Sequence, residues 1–178
     1  MHKDVKKILV GEEEINQKCI ELGKKITEDY KNQTEPPLLV ALLKGSVPFL
    51  SALIKHIDLD IEIDFMDVSS YEGTESQGDI RILKDLDQSV KDTSILLVED
   101  IIDTGKTIVV VKELLKNKGA KDVKVVSLLD KPSRRTVDVA AEYVGFTIPN
   151  EFVIGFGLDY DEKYRNLPYV GVLKEEAY

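Results

Sequence analysis

The stretch that most constrains this chain of 178 residues runs from Ser94 to Thr107 and reads SILLVEDIIDTGKT. Its first part, residues 94–98, is a short apolar run rich in branched side chains, which is typical of a buried strand in a parallel sheet. Residues 108–118 have the composition of a helix, and Gly119 closes it. This order predicts an α/β fold in which the turn lies at the carboxyl end of a strand, where open α/β sheets bind their ligands.

The turn carries groups that suit two different parts of a ligand. Glu99 and Asp100 follow the predicted strand, and carboxylates suit sugar hydroxyls or a divalent cation. Residues 103–107 can point backbone N–H groups and hydroxyls at one spot at a helix N-terminus, which favours a phosphate. A sugar phosphate satisfies both parts. A P-loop is excluded by spacing, because its first glycine would fall at Asp100.

Composition narrows the classes of function. The net charge of −9 argues against nonspecific binding of nucleic acid, which draws on basic patches. With 43% hydrophobic residues we expect one domain, and we find no apolar run that predicts membrane insertion or secretion. The single cysteine, Cys19, cannot form an internal disulfide, which fits a cytoplasmic location. It lies on a predicted amphipathic helix, where we expect a packed thiol.

Two further strand ends are predicted beside the first. Lys44 and Gly45 follow the apolar run 38–43, and Asp130-Lys131-Pro132 follows the run 123–129. Arg134 and Arg135 come next, in a charged connection where we expect them to be solvated. The remaining predicted elements are helices at 12–31 and from about Pro48, a half-exposed strand at 61–65 with a partner at 80–83, and a strand at 152–158.

These motifs resemble those of a known family. VEDIIDTGKT resembles the phosphoribosyl diphosphate (PRPP) motif of the type I phosphoribosyltransferases. With LLKG at 42–45, LLDKP at 128–132 and EFVIGFGLDYDEKYRNLPYVGVL at 151–173, nearly the whole chain resembles the bacterial hypoxanthine-guanine branch of that family. The resemblance implies a mostly parallel twisted sheet flanked by helices. It also implies one domain with a core at about 36–148, a hood from about 1–35 and 149–178, and a lid at about 66–82.

The resemblance also implies roles for individual residues in transfer of the phosphoribosyl group from PRPP to hypoxanthine or guanine. Asp103 is expected to be the general base, and Mg²⁺ the cofactor, near Glu99, Asp100 and Asp159. The other implied residues form four groups: the PRPP and phosphate site (Glu99, Asp100, Asp103, Thr104, Gly105, Lys106 and Thr107), the pyrophosphate site (Leu43, Lys44, Gly45 and Arg165), the nucleobase site (Lys131, Phe152, Val153 and Asp159) and the lid (Ser69, Ser70 and Tyr71).

Other functions compete with this interpretation. A regulatory protein of the same fold would keep the PRPP site and bind nucleic acid, but the acidic charge and the apparently complete base site argue against it. A phospho-acceptor receiver domain would place its acidic pair after the first strand, whereas here the pair lies past mid-chain. Orotate or adenine phosphoribosyltransferases would share the central motif, but LLDKP and EFVIGFGLDY favour a 6-oxopurine substrate. The residues leave open whether xanthine is accepted, how many metal ions bind, and whether the expected homo-oligomer is a dimer or a tetramer.

Overall fold

The computed structural model describes residues 1–70 and 80–177, which form nine strands and three α-helices. In chain order these are β1 (Val5–Val10), α1 (Glu12–Tyr30), β2 (Leu38–Leu42), α2 (Val47–Leu53), β3 (Glu62–Ser70), β4 (Ile80–Lys84), β5 (Ser94–Ile102), α3 (Lys106–Asn117), β6 (Asp122–Asp130), β7 (Tyr143–Thr147), β8 (Val153–Ile154) and β9 (Val170–Leu173).

Six strands form the main sheet, in the order β4-β3-β2-β5-β6-β7. Every neighbouring pair is parallel except β3 and β4, which is antiparallel and lies at one edge. Strands β2 and β5 are central, and their apolar residues are buried on both faces, as a covered parallel sheet requires. The predicted α/β fold with a mostly parallel sheet is therefore confirmed.

Successive residues of the central strands contribute to opposite layers of the core, because side chains alternate across a strand. On one face, residues such as Leu39 and Leu96 pack with helices α1 and α2. On the other face, residues such as Val40 and Leu97 pack with α3. Cys19 is fully buried on α1, and burial raises the pKa of its thiol to about 11, so the prediction of a packed thiol is confirmed.

A second, three-stranded sheet has the order β1-β9-β8 and is antiparallel throughout. It joins the two ends of the chain, since Val5 lies opposite Leu173 and Val10 lies opposite Val170. Strand β1 was not predicted from the sequence. The division into core, hood and lid stays a prediction.

Three elements differ from their predicted form. Strand β5 continues to Ile102, so Glu99 and Asp100 lie on the strand and not after it. The predicted strand 152–158 is limited to Val153–Ile154, because residues 155–157 all have positive φ and turn the chain away. In β3 the acidic Asp64 is buried and accepts a hydrogen bond of 2.8 Å from the Asp87 N–H, while Ile63 is exposed.

Across the part of the chain that the structure describes, we found no helix with the length and apolar character needed to cross a bilayer.

Candidate active site

The site lies where β2, β5 and β6 end. Since these strands are parallel, the segments that follow them meet at one edge of the sheet. The Leu43–Gly45 loop follows β2, the 103–107 turn follows β5, and Lys131 follows β6. The Lys131 N–H donates to the Ile102 carbonyl at 3.0 Å, which fixes the end of β6 beside the turn.

The acidic pair combines a buried and a half-buried carboxylate, Glu99 and Asp100. Glu99 lies beside Ser127 of β6, one residue past the last β2–β5 pair, Ala41 and Val98, and is only 9% exposed. Burial, and secondly the charge of Asp100, raise the pKa of Glu99 well above its ordinary value. Burial raises the pKa of Asp100 to about 6, against the opposing effect of a hydrogen bond from the Ile101 N–H. Two such neighbouring carboxylates favour a cation or hydroxyl donors as a ligand.

The turn between β5 and α3 borders a small cavity lined by both polar and apolar residues. Gly105 has a φ of 85° and precedes the twelve-residue helix α3; a side chain here would overlap Val139. The Thr104 hydroxyl accepts a hydrogen bond of 3.4 Å from the Lys106 N–H, at the start of the helix. The cavity measures about 90 Å³ and is lined by Glu99, Ile101, Ile102, Asp103, Thr104, Gly105, Thr107 and Ile108. Hydroxyls and a helix N-terminus around such a space suit a phosphate.

Two arginines contact this turn. The expected solvation was wrong for Arg135, whose side chain is only 15% exposed, whereas Arg134 is exposed as predicted. Arg135 donates to the Asp103 carbonyl at 2.8 Å and forms an ion pair with Asp130. Arg134 Nε donates to Asp103 Oδ1 at 3.2 Å. Their charge gave no signal of this role, because adjacent arginines in a connection are equally typical of a solvated surface. The contacts depend on the short turn after β6 folding back over residues 103 and 104.

The loop after β2 packs against the acidic pair through glycine. The peptide bond between Leu43 and Lys44 is cis. A methyl group added at Gly45 would overlap the Asp100 carboxylate, and one added at Gly157 would overlap the Gly45 carbonyl. The loop at Gly45 therefore packs between Asp100 and Gly157 so closely that neither glycine can carry a side chain.

The segment from Asp159 to Arg165 places a cluster of charges over that loop. Arg165 donates to the Gly157 carbonyl at 2.8 Å and pairs with Asp159 at 3.0 Å. The Arg165 Nε is buried and has no partner among the described residues, so one donor of this guanidinium is unsatisfied.

Glu162, which was not predicted as a site residue, contacts both predicted pyrophosphate cations. Its carboxylate accepts hydrogen bonds from Lys44 Nζ at 3.0 Å and from Arg165 Nη2 at 3.3 Å. The bond from Lys44, followed by the charge of Arg165, lowers the pKa of Glu162. One more acid in an acidic segment carries no pattern that would have identified it.

Of the predicted nucleobase residues, Lys131 lies after β6 and contacts the segment that carries Phe152 and Val153, whereas Asp159 pairs with Arg165. Lys131 is buried, and its Nζ donates to the Glu151 carbonyl at 2.9 Å. Burial lowers the pKa of Lys131, and the nearby charge of Asp103 opposes that effect. The ring of Phe152 is half-exposed and meets Tyr160 edge to face, with 5.7 Å between the ring centroids. Val153 is buried at the start of β8.

The predicted lid is described only in part. Ser69 and Ser70 end β3, at the same edge of the main sheet, where they pair with Arg81 and Ile80 of β4. The third predicted lid residue, Tyr71, lies outside the described residues.

A divalent metal fits these residues when the substrate supplies further ligands. Within residues 1–70 and 80–177 no group of three or more His, Cys, Asp or Glu side chains could hold a metal by itself. Mg²⁺ typically takes one or two protein carboxylates together with water and substrate phosphates. Glu99 and Asp100 provide such carboxylates, while Asp159 is engaged with Arg165.

Known proteins match this fold and site. Residues 9–161 match the family model of the phosphoribosyl transferase domain. The hypoxanthine-guanine phosphoribosyltransferase of Streptococcus thermophilus is 55% identical over 100% of this chain and 98% of its own length. A hypoxanthine phosphoribosyltransferase structure from Staphylococcus aureus is 52% identical, with a TM-score of 0.94 over 100% of this chain and 96% of that chain. The Trypanosoma cruzi enzyme in complex with the product IMP is 38% identical, with a TM-score of 0.94 over 100% and 99%. This chain therefore belongs to the phosphoribosyltransferase family, in the branch of the hypoxanthine-guanine phosphoribosyltransferases.

Proposed function

We propose that the protein transfers the 5-phosphoribosyl group of PRPP to N9 of hypoxanthine or guanine, giving IMP or GMP and pyrophosphate. The observation that carries the proposal is the meeting of three kinds of group at one sheet edge. These are the buried Glu99 with the half-buried Asp100, the cavity of the following turn, and the buried amine of Lys131. The names of the full-length relatives support the same reaction.

The donor is held by its two ends. The 5′-phosphate binds in the cavity, where Thr104 to Thr107 and the N-terminus of α3 supply hydroxyls and N–H groups. Glu99 and Asp100 bind the ribose hydroxyls. Anchoring the phosphate orients the reacting carbon, and the acids stabilise the positive charge that develops on the ribose as its bond to pyrophosphate breaks.

The leaving group is stabilised by cations on two loops. Lys44 and Arg165 donate to pyrophosphate, with the backbone of the Leu43–Gly45 loop beside them. Arginine suits this task because its planar guanidinium can bind two phosphate oxygens at once. Glu99, Asp100 and Asp159 would hold Mg²⁺, which would supply further neutralisation of the charge on pyrophosphate.

The base is activated and selected by residues after β5 and β6. Asp103 takes the proton from purine N7 as N9 attacks the ribose, and Arg134 orients its carboxylate. Lys131 donates to the exocyclic O6, an acceptor that adenine lacks. Phe152 stacks on the purine, and the backbone of Val153 hydrogen-bonds to it. Ser69, Ser70 and Tyr71 belong to a lid that excludes water from the reacting carbon.

We also expect a homodimer or homotetramer in the cytoplasm, as the family and the single buried cysteine suggest. Light scattering during gel filtration would determine the oligomeric state.

Product analysis tests the reaction directly. The protein is incubated with PRPP, Mg²⁺ and hypoxanthine, guanine, xanthine or adenine in turn, and the monophosphates are separated by chromatography. We expect IMP and GMP, formed with an equal amount of pyrophosphate, and no AMP. If neither hypoxanthine nor guanine yields a nucleotide, the proposal is refuted. The xanthine reaction shows whether the site accepts a purine with an oxygen at C2.

A further inference from the structure

A single carboxylate is shared by the two cations that we assign to pyrophosphate. One Glu162 oxygen accepts from Lys44 at 3.0 Å, and the other faces Arg165 at 3.3 Å. The two oxygens of Glu162 thus each accept a hydrogen bond from one cation, and two oxygens of a phosphoryl group would bind the same cations in the same way.

We propose that Glu162 is an internal competitor for pyrophosphate. Its carboxylate pairs with Lys44 and Arg165 in the ligand-free site, and it leaves them when a phosphoryl group binds. The inference rests on the proposed function, because it takes these two side chains as the pyrophosphate site.

The geometry lets this exchange occur without disturbing the fold. The Glu162 side chain is 64% exposed and that of Lys44 is 62% exposed, so both can rotate into solvent. The backbone is fixed separately, because the Glu162 N–H donates to Asp159 Oδ2 at 3.0 Å. Arg165 likewise keeps its bonds to Gly157 and Asp159. Displacing Glu162 therefore breaks two exposed ion pairs and no buried contact.

The size of the effect follows from the exposure of the pairs. Exposed ion pairs are weak, so Glu162 lowers pyrophosphate affinity without preventing binding. Losing both pairs should tighten pyrophosphate binding by roughly 3- to 10-fold. By pairing again with the cations, Glu162 also favours departure of the product.

The test compares Glu162→Gln with Asp161→Asn. Asp161 is the adjacent acid; its side chain is 77% exposed and pairs only with Lys163 among the described residues, at 3.3 Å. Both variants remove one negative charge, so the long-range effect on an anion is matched. The measurement is the inhibition constant of magnesium pyrophosphate against PRPP during IMP formation.

We expect the inhibition constant to fall by roughly 3- to 10-fold in Glu162→Gln and by less than about 2-fold in Asp161→Asn. Structural damage would raise the constant, so the direction separates competition from a structural role. Equal changes in the two variants, or weaker inhibition of Glu162→Gln, would overturn the inference.

A double-mutant cycle tests whether Glu162 acts through Lys44. In a Lys44→Met background, the gain from Glu162→Gln should shrink, because one of its two partners is gone. An undiminished gain would also overturn the inference. If the wild-type protein forms IMP but these constants do not move, only this inference fails; if it forms no IMP, the proposed function fails.

Discussion

Asp100→Asn should stabilise the ligand-free protein while it impairs PRPP binding. The folded protein raises the pKa of this carboxyl from 3.8 to about 6, chiefly by burial. A difference of this size corresponds to about 3 kcal/mol against the ionised form in the folded state. Asparagine keeps the acceptor for the Ile101 N–H, but its amide group gains no assured partner beside Gly45, which costs about 1 kcal/mol. The net gain is about 2 kcal/mol, or a rise in Tm of roughly 4 to 8 °C.

The stability that Asp100→Asn adds should increase as the pH rises. Because the folded pKa of Asp100 is raised, the folded state holds more protons than the unfolded state between about pH 4 and pH 6. The wild-type protein therefore loses stability, relative to the variant, as the pH rises through that window. The difference in stability between the variant and the wild-type protein should be small near pH 4 and should reach its full size above about pH 7.

Thermal unfolding followed by circular dichroism from pH 4 to pH 8 measures this difference. Asp58→Asn is the matched control, since Asp58 is an exposed acid that precedes β3 at the opposite edge of the sheet. We expect no pH-dependent gain in the control. Adding PRPP and Mg²⁺ should stabilise the wild-type protein more than Asp100→Asn. A variant that melts below the wild type at pH 8 without ligand would refute the reasoning.

Three further predictions concern the reaction. Asp103→Asn should lower kcat by about 10²- to 10⁴-fold with little change in PRPP affinity; an equal loss in both would indicate a positional role. Lys131→Ala should lower kcat/KM for hypoxanthine and guanine by about 10- to 100-fold and leave the KM for PRPP nearly intact, and unchanged base kinetics would remove its assignment. Gly45→Ala should raise the KM for PRPP by about 10-fold or more, because the added methyl group displaces the Asp100 carboxylate. Gly11→Ala is the control, since its methyl group would contact only the Glu14 carboxylate, at 3.2 Å.

The main sheet was predictable because its central strands are continuous apolar runs. The runs at 38–43 and 123–129 correspond to β2 and β6, and the stepped apolar positions at 12–31 correspond to α1. Strand β1 was missed because its sequence, VKKILV, contains two adjacent lysines and its partner lies about 165 residues away. The predicted strand 152–158 was too long, because apolar alternation continues through Gly155 and Gly157 although both have positive φ.

The candidate site was predictable where its residues adjoin strand ends. Glu99, Lys44 and Lys131 come together because parallel strands share one carboxyl edge, which is a property of the topology. Arg135 and Glu162 were not predictable in the same way. Each reaches the site from a segment whose position is set by tertiary contacts, and charge alone does not report such contacts.

The three-stranded sheet has a consequence for the order in which the protein can fold during synthesis. The phosphate cavity is lined by residues 99–108, whereas β1 must wait for β9, which is synthesised about 160 residues after it. Pairing between such distant segments is slow, because the long intervening chain must first be ordered. A ribosome-bound chain can therefore complete the cradle for the sugar phosphate while Val153, on β8, still lacks the neighbouring strand that orders it.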